Sequence, residues 1–155
     1  MSALEQLGSV YAIVASSFGA ATIMTMLTRY HDMQPEKVVL LSPMGHINQQ
    51  IDIFYRLMGI DGQFRKNVRR VLQSKLPLPL EQFDVAEAAV SVRSAGMIVH
   101  DQHDRVIPLQ LSWHIAEKWG GAEGNVKFVT TTQLGHKNAL RNHVVRQAVA
   151  AFLQS

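Results

Sequence analysis

Three short stretches of this 155-residue sequence hold the side chains best placed to do chemistry. Ala15-Ser16-Ser17-Phe18-Gly19 sets two hydroxyls between small residues. His100-Asp101-Gln102-His103-Asp104 packs two imidazoles and two carboxylates into five positions, and Gly135-His136 adds another imidazole. A hydroxyl, an imidazole and a carboxylate brought together perform nucleophilic acyl transfer: the imidazole takes the hydroxyl proton and the carboxylate orients the imidazole. His and Asp are also metal ligands, so the run at 100–104 has a metal-site reading. That reading is the weaker one, because the spare side chains lie on one tight turn and no second cluster at ligand spacing accompanies them. Cysteine is absent, which excludes disulfides, thiolate nucleophiles and cysteine metal sites. His31, His46, His114 and His143 have no such neighbours and read as surface or capping residues.

For position 17 to meet position 136, the chain between them must fold into elements that bring distant residues to one edge. After a break at Gly8-Ser9, Val10 to Ala15 is a short apolar run rich in β-branched residues, as a strand buried on both faces requires. Residues 2–7 read as the end of a helix. Gly19 to Tyr30 reads as a helix whose Ala20 and Ala21 permit close packing, and Lys37 to Ser42 as a second buried strand ended by Pro43 and Gly45. Ile47, Ile51, Phe54 and Met58 then recur at helical spacing. Gly59 and Gly62 interrupt before a basic amphipathic stretch that Pro77 and Pro79 end. Gly96 to His100 reads as a third strand, Pro108 to Trp119 as a helix and Val126 to Thr131 as a fourth strand. A last helix carries Val145, Ala148, Val149 and Phe152 on one face. Strands alternating with helices predict an α/β fold with a mostly parallel sheet of about four strands and flanking helices. The expectation is a single domain over 1–155, with a helical excursion at about 45–92.

At 47% hydrophobic and 17% charged, the chain can bury an ordinary core. Its net charge of +3 is small for this length. Arg65, Lys66, Arg69, Arg70 and Lys75 interleave with Val68, Val71 and Leu72, which fits the solvated face of a helix better than contact with anionic lipid. No motif for nucleic acid accompanies them. The apolar stretch Val10 to Leu27 lacks a basic leader, follows Glu5, and is interrupted by Ser16, Ser17, Gly19, Thr22 and Thr25. It therefore reads as strand plus helix rather than signal peptide or membrane anchor. A cytoplasmic protein without membrane association is the expectation.

Taken in chain order, the three stretches resemble the α/β-hydrolase superfamily, whose serine members run nucleophile, acid, base. Ala15-Ser16-Ser17-Phe18-Gly19 resembles the nucleophile elbow, a turn so sharp that the residues two before and two after the nucleophile must be small. That phasing selects Ser17, and the backbone N–H of Phe18 would face the developing oxyanion. The stretch ending in Pro108 resembles the acid-bearing turn and implies Asp104; Asp101 falls where the family has a turn-forming Gly or Asn, and is the second choice. Gly135-His136 resembles the loop of the catalytic base. The resemblance implies a catalytic Ser17, Asp104 and His136, no cofactor and no metal. Its substrate would be small and acyl, a carboxylic ester or thioester.

Serine at the elbow, where dehalogenases and epoxide hydrolases carry aspartate, argues against those activities. The helical excursion implies a short cap, under which Ile47, Ile51, Phe54 and Met58 would either line an acyl pocket or, as preferred, form an ordinary core face. Against the family pattern the chain is expected to be a C-terminal half, beginning just before the nucleophile strand. It would then lack four strands and the loop that gives the second oxyanion-hole N–H. The edge at Tyr11 to Ala15 should then be covered, by homodimer formation, a separate N-terminal polypeptide or an upstream coding region. The alternative function is a catalytically impaired hydrolase serving as an interaction or ligand-binding module.

Overall fold

The continuous apolar runs become strands because both faces of the sheet are covered. The computed structural model describes residues 8–60, 62–76, 79–120 and 126–155, except the side chains of Leu57 and Glu81. The helix end expected at 2–7 and the break at Pro77 lie outside them. Strands β1 (Ala12–Ser16), β2 (Lys37–Leu41), β3 (Ala95–Asp101) and β4 (Val126–Thr131) form one sheet in the order β1-β2-β3-β4. All pairs are parallel, with Val14 opposite Val39, Val39 opposite Met97 and Met97 opposite Lys127.

Alternate residues feed two cores, as the two-residue period of a strand demands. Ala15, Val38, Leu40 and Ile98 face helices α1 (Phe18–Arg29), α4 (Val85–Ala89) and α5 (Leu109–Lys118). Val39, Leu41, Met97 and Val99 face Val145 and its neighbours on the last helix, α6 (His143–Gln154). Between β2 and α4 lie α2 (Ile47–Leu57) and α3 (Gly62–Lys75). Among its described side chains α3 has none that is buried. The short α4 was not legible in the sequence. It is five residues long, its Val85, Ala86, Ala88 and Ala89 are buried, and Asp84 caps it by accepting from Ala86 N–H and Glu87 N–H. Burial against α1 and α5, not propensity, makes those five residues helical.

Gly96 has a packing reason. A Cβ there would come within 2.7 to 2.8 Å of the Trp119 ring and the Val126 side chain. The bare backbone lets Trp119 lie on β3, where its indole N–H donates to the Ser94 carbonyl at 3.0 Å. β1 pairs only with β2 and, among the described residues, no strand lies on its other side. Tyr11 and Val14 are 50% and 44% exposed there. No helix among the described residues is long and apolar enough to cross a membrane.

Candidate active site

In a parallel sheet every strand ends at the same edge, so residues just past those ends meet although far apart in sequence. Ser17 follows β1, Asp104 lies three residues past β3, and His136 five residues past β4. Ser17 turns the chain directly from β1 into α1 with φ +52° and ψ −120°, a region that non-glycine residues rarely enter. The surroundings hold it there. Its N–H donates to the Leu41 carbonyl at 3.0 Å, and its own carbonyl accepts from Ala20 N–H at 3.1 Å and Met44 N–H at 3.3 Å. Phe18 is the first residue of α1, so its N–H belongs to the helix's unpaired first turn.

The two small residues that flank Ser17 differ in their surroundings. Beyond its chain neighbours and its own helix backbone, a Cβ on Gly19 would meet no heavy atom within 4 Å, whereas Ala15 is packed in the core.

The hydroxyl of Ser17 donates to Nε2 of His136 at 3.0 Å, and Nδ1–H of His136 donates to Oδ2 of Asp104 at 2.8 Å. The His136 side chain is 13% exposed and that of Asp104 is enclosed. Oδ1 of Asp104 accepts from the N–H groups of Val106 at 2.8 Å and Ile107 at 2.9 Å. Burial alone raises a carboxyl's pKa. Here hydrogen bonds from His100, Ile107 N–H, His136 and Val106 N–H outweigh it and hold Asp104 far below the usual carboxylate range. A hydroxyl, an imidazole and an ionised carboxylate in one row is an arrangement that can move the hydroxyl proton to the imidazole.

Asp101, the second-choice acid, works differently. Its Oδ2 accepts from the Thr131 hydroxyl at 2.9 Å and Leu134 N–H at 3.0 Å, and its Oδ1 from His103 N–H at 2.9 Å. Against the opposing effect of burial, bonds from Leu134, Thr131, Gly135 and His103 lower its pKa. Asp101 thus ties the end of β3 to the loop that delivers His136. Among the described residues no group of three or more His, Asp or Glu side chains converges to hold a metal ion. His46 is a cap: its Nδ1 accepts from Asn48 N–H at the start of α2. His114 pairs with Glu117 on the surface.

Two apolar cavities of about 370 and about 340 Å³ share Phe18, Met44, Ile47 and Leu76 as walls. The larger adds Ile51 and Phe54 from α2 and Val68 and Leu72 from α3. Of the four residues read at helical spacing, Ile47 is core, Ile51 packs on it, Phe54 lines the larger cavity, and Met58 is 62% exposed. Ile47, Ile51 and Phe54 thus line the larger cavity together, and Met58 lies outside it. Sequence reasoning missed His100 as a neighbour of Asp104, together with Ser112 behind it. The available signal was a histidine closing the apolar run Met97-Ile98-Val99.

The likeness to solved structures is broad in shape and slight in sequence. An alpha/beta hydrolase enzyme from the sediment metagenome of the Mar Chica lagoon, Morocco, superposes with a TM-score of 0.68 at 11% identity, over 97% of this chain and 64% of that one. A meta-cleavage product hydrolase from Pseudomonas fluorescens IP01 gives 0.59 at 17% identity, over 97% of this chain and 66% of that one. An acetyl xylan esterase from Paenibacillus sp. R4 gives 0.65 at 14% identity, over 92% of this chain and 44% of that one. No protein-family model and no curated protein sequence matches. The chain therefore has the fold of a partial α/β-hydrolase, resembles esterases and other hydrolases in shape, and spans about two thirds of the first of these enzymes. At such identities the fold is what is shared, and chemistry must be argued from the site.

Proposed function

We propose that this chain carries the catalytic machinery of a serine hydrolase that cleaves carboxylic esters or thioesters. The observation that supports it is the row Ser17 Oγ, His136 Nε2, His136 Nδ1, Asp104 Oδ2, with Ser17 held in a strained turn at the head of α1. A sheet needs none of these polar groups for its packing. In the proposed reaction Ser17 Oγ bonds to the acyl carbon as His136 Nε2 takes its proton. Asp104 stabilises the imidazolium, and the Phe18 N–H donates to the oxyanion. The intermediate collapses with loss of the alcohol or thiol, which receives the proton from His136. Water then gives a proton to His136, adds to the acyl carbon, and displaces Ser17 Oγ, which takes the proton back.

The apolar cavities beside Phe18 are where an acyl chain would fit under α2 and α3, acting as a short cap. The open edge of β1 favours a second reading, an impaired hydrolase retained as an interaction or ligand-binding module. One experiment separates the two. A fluorophosphonate probe should label the wild-type chain and fail on Ser17→Ala and His136→Ala. A folded wild-type chain that takes no label leaves the second reading standing and sinks the first.

A further inference from the structure

His100 is the penultimate residue of β3, and its side chain is wholly enclosed. Its Nε2 lies 3.0 Å from the Ile107 carbonyl and 3.3 Å from Oδ2 of Asp104, while its Nδ1 meets the hydroxyl of Ser112, itself buried on α5. A carbonyl and an ionised carboxylate only accept, so Nε2 must carry the proton. A neutral ring then has Nδ1 as acceptor, and the Ser112 hydroxyl donates to it. The acceptors around Nε2 thus fix where the proton of the neutral ring sits.

Both oxygens of the Asp104 carboxylate are thereby held from two sides. Oδ1 takes two backbone N–H groups, and Oδ2 takes the Nδ1–H of His136 and lies 3.3 Å from Nε2 of His100, whose proton is shared with the Ile107 carbonyl. Turning the carboxylate about its own axis breaks bonds on both sides at once. An apolar residue in place of His100 would leave the Ile107 carbonyl and the Ser112 hydroxyl without this partner, and would also remove the N–H edge that lies 3.3 Å from Oδ2 of Asp104. We propose that His100, fixed by Ser112, is a positioning residue that keeps Oδ2 of Asp104 aimed at Nδ1 of His136. The proposal rests on the reading of Asp104 as the acid of the reaction. The same contact is the largest of those that hold the Asp104 carboxyl below its ordinary range against the opposing effect of burial.

The test compares three variants of the full chain. His100→Gln places an amide N–H near the position of Nε2, His100→Met fills the volume without a donor, and Ser112→Ala removes the donor to Nδ1. Misplacement by about 1 Å costs on the order of 10²-fold in rate. His100→Met should therefore slow fluorophosphonate labelling about 10²-fold and lower kcat on an activated ester with KM nearly unchanged. His100→Gln should restore both to within about threefold of wild type on that same scale.

Imidazole NMR on 15N-histidine protein supplies a readout that does not need turnover. The wild type should show His100 protonated at Nε2 and a low-field Nδ1–H signal from His136. His100→Met and Ser112→Ala should shift that signal. Equal labelling rates and an unmoved His136 signal in folded His100→Met overturn the proposal, as does failure of His100→Gln to rescue. Should His100→Met not fold, an unmoved signal in Ser112→Ala overturns it. A wild type that takes no label but shows the coupled signals refutes the hydrolase reading and leaves the positioning intact.

Discussion

Replacing Asp104 by Asn changes one atom, and its consequence can be worked out bond by bond. The amide oxygen can keep the two N–H donors of Val106 and Ile107. The amide nitrogen then stands where Oδ2 was, facing N–H groups of His136 and His100 with hydrogens of its own. Either His136 adopts the other tautomer, which puts a proton on Nε2 and removes the acceptor from Ser17, or the amide turns over and leaves the N–H groups of Val106 and Ile107 facing hydrogens. Each orphaned donor costs about 1–3 kcal/mol. In serine proteases the corresponding change lowers kcat about 10⁴-fold, or ~5.4 kcal/mol at 1.36 kcal/mol per tenfold.

The expected result for Asp104→Asn is therefore a fall of about 10³- to 10⁴-fold in the second-order rate of fluorophosphonate labelling. Because Asp104 is held far below the ordinary carboxylate range, it is ionised throughout the neutral range, and the deficit should be constant with pH there. Asp101→Asn, assayed beside it, should lose stability and keep a labelling rate within about tenfold of wild type, since Asp101 bonds Thr131, His103 N–H and the loop ahead of His136 rather than the His136 ring. An Asp104→Asn protein labelled within tenfold of wild type, or a larger loss in Asp101→Asn, refutes the assignment of the acid.

Asp101→Asn should cost about 1.5–3 kcal/mol in urea unfolding, as expected for hydrogen bonds to a charged group. Its lowered pKa stabilises the fold above the unfolded value of about 3.9, and that contribution is lost as pH falls towards the folded value, so the variant should show a weaker acid dependence. Gly96→Ala should destabilise by about 1–3 kcal/mol, because its methyl displaces the Trp119 ring; an unchanged midpoint and unchanged Trp fluorescence contradict this. Ser17→Gly should abolish labelling yet raise the Tm, since releasing a strained φ gains about 1–3 kcal/mol and glycine's added unfolded-state entropy costs about 0.5–1. The exposed edge of β1 should promote pairing of two copies, and Val14→Lys should weaken it in analytical ultracentrifugation. A wild-type chain that stays monomeric at high concentration refutes self-pairing and directs attention to a separate N-terminal polypeptide.

By itself the sequence determined the alternation of strands and helices, because apolar runs such as Val38 to Leu41 and the spaced face of Val145, Ala148, Val149 and Phe152 are local patterns. Ser17, Asp104 and His136 were legible as candidates through neighbouring residues, in particular the small residues around Ser17, Pro108 and Gly135. Other features depend on residues distant in the chain and could be decided only by the tertiary structure. Helix α4 exists because α1 and α5 bury it. Asp101 ties the end of β3 to the loop before His136 because Thr131 and Leu134 reach it from β4 and the loop beyond. His100 faces Asp104 because Ser112 and the Ile107 carbonyl fix its ring. Hydrogen-bond direction in a buried network depends on which donors and acceptors surround each atom, and those surroundings come from four strands ending at one edge.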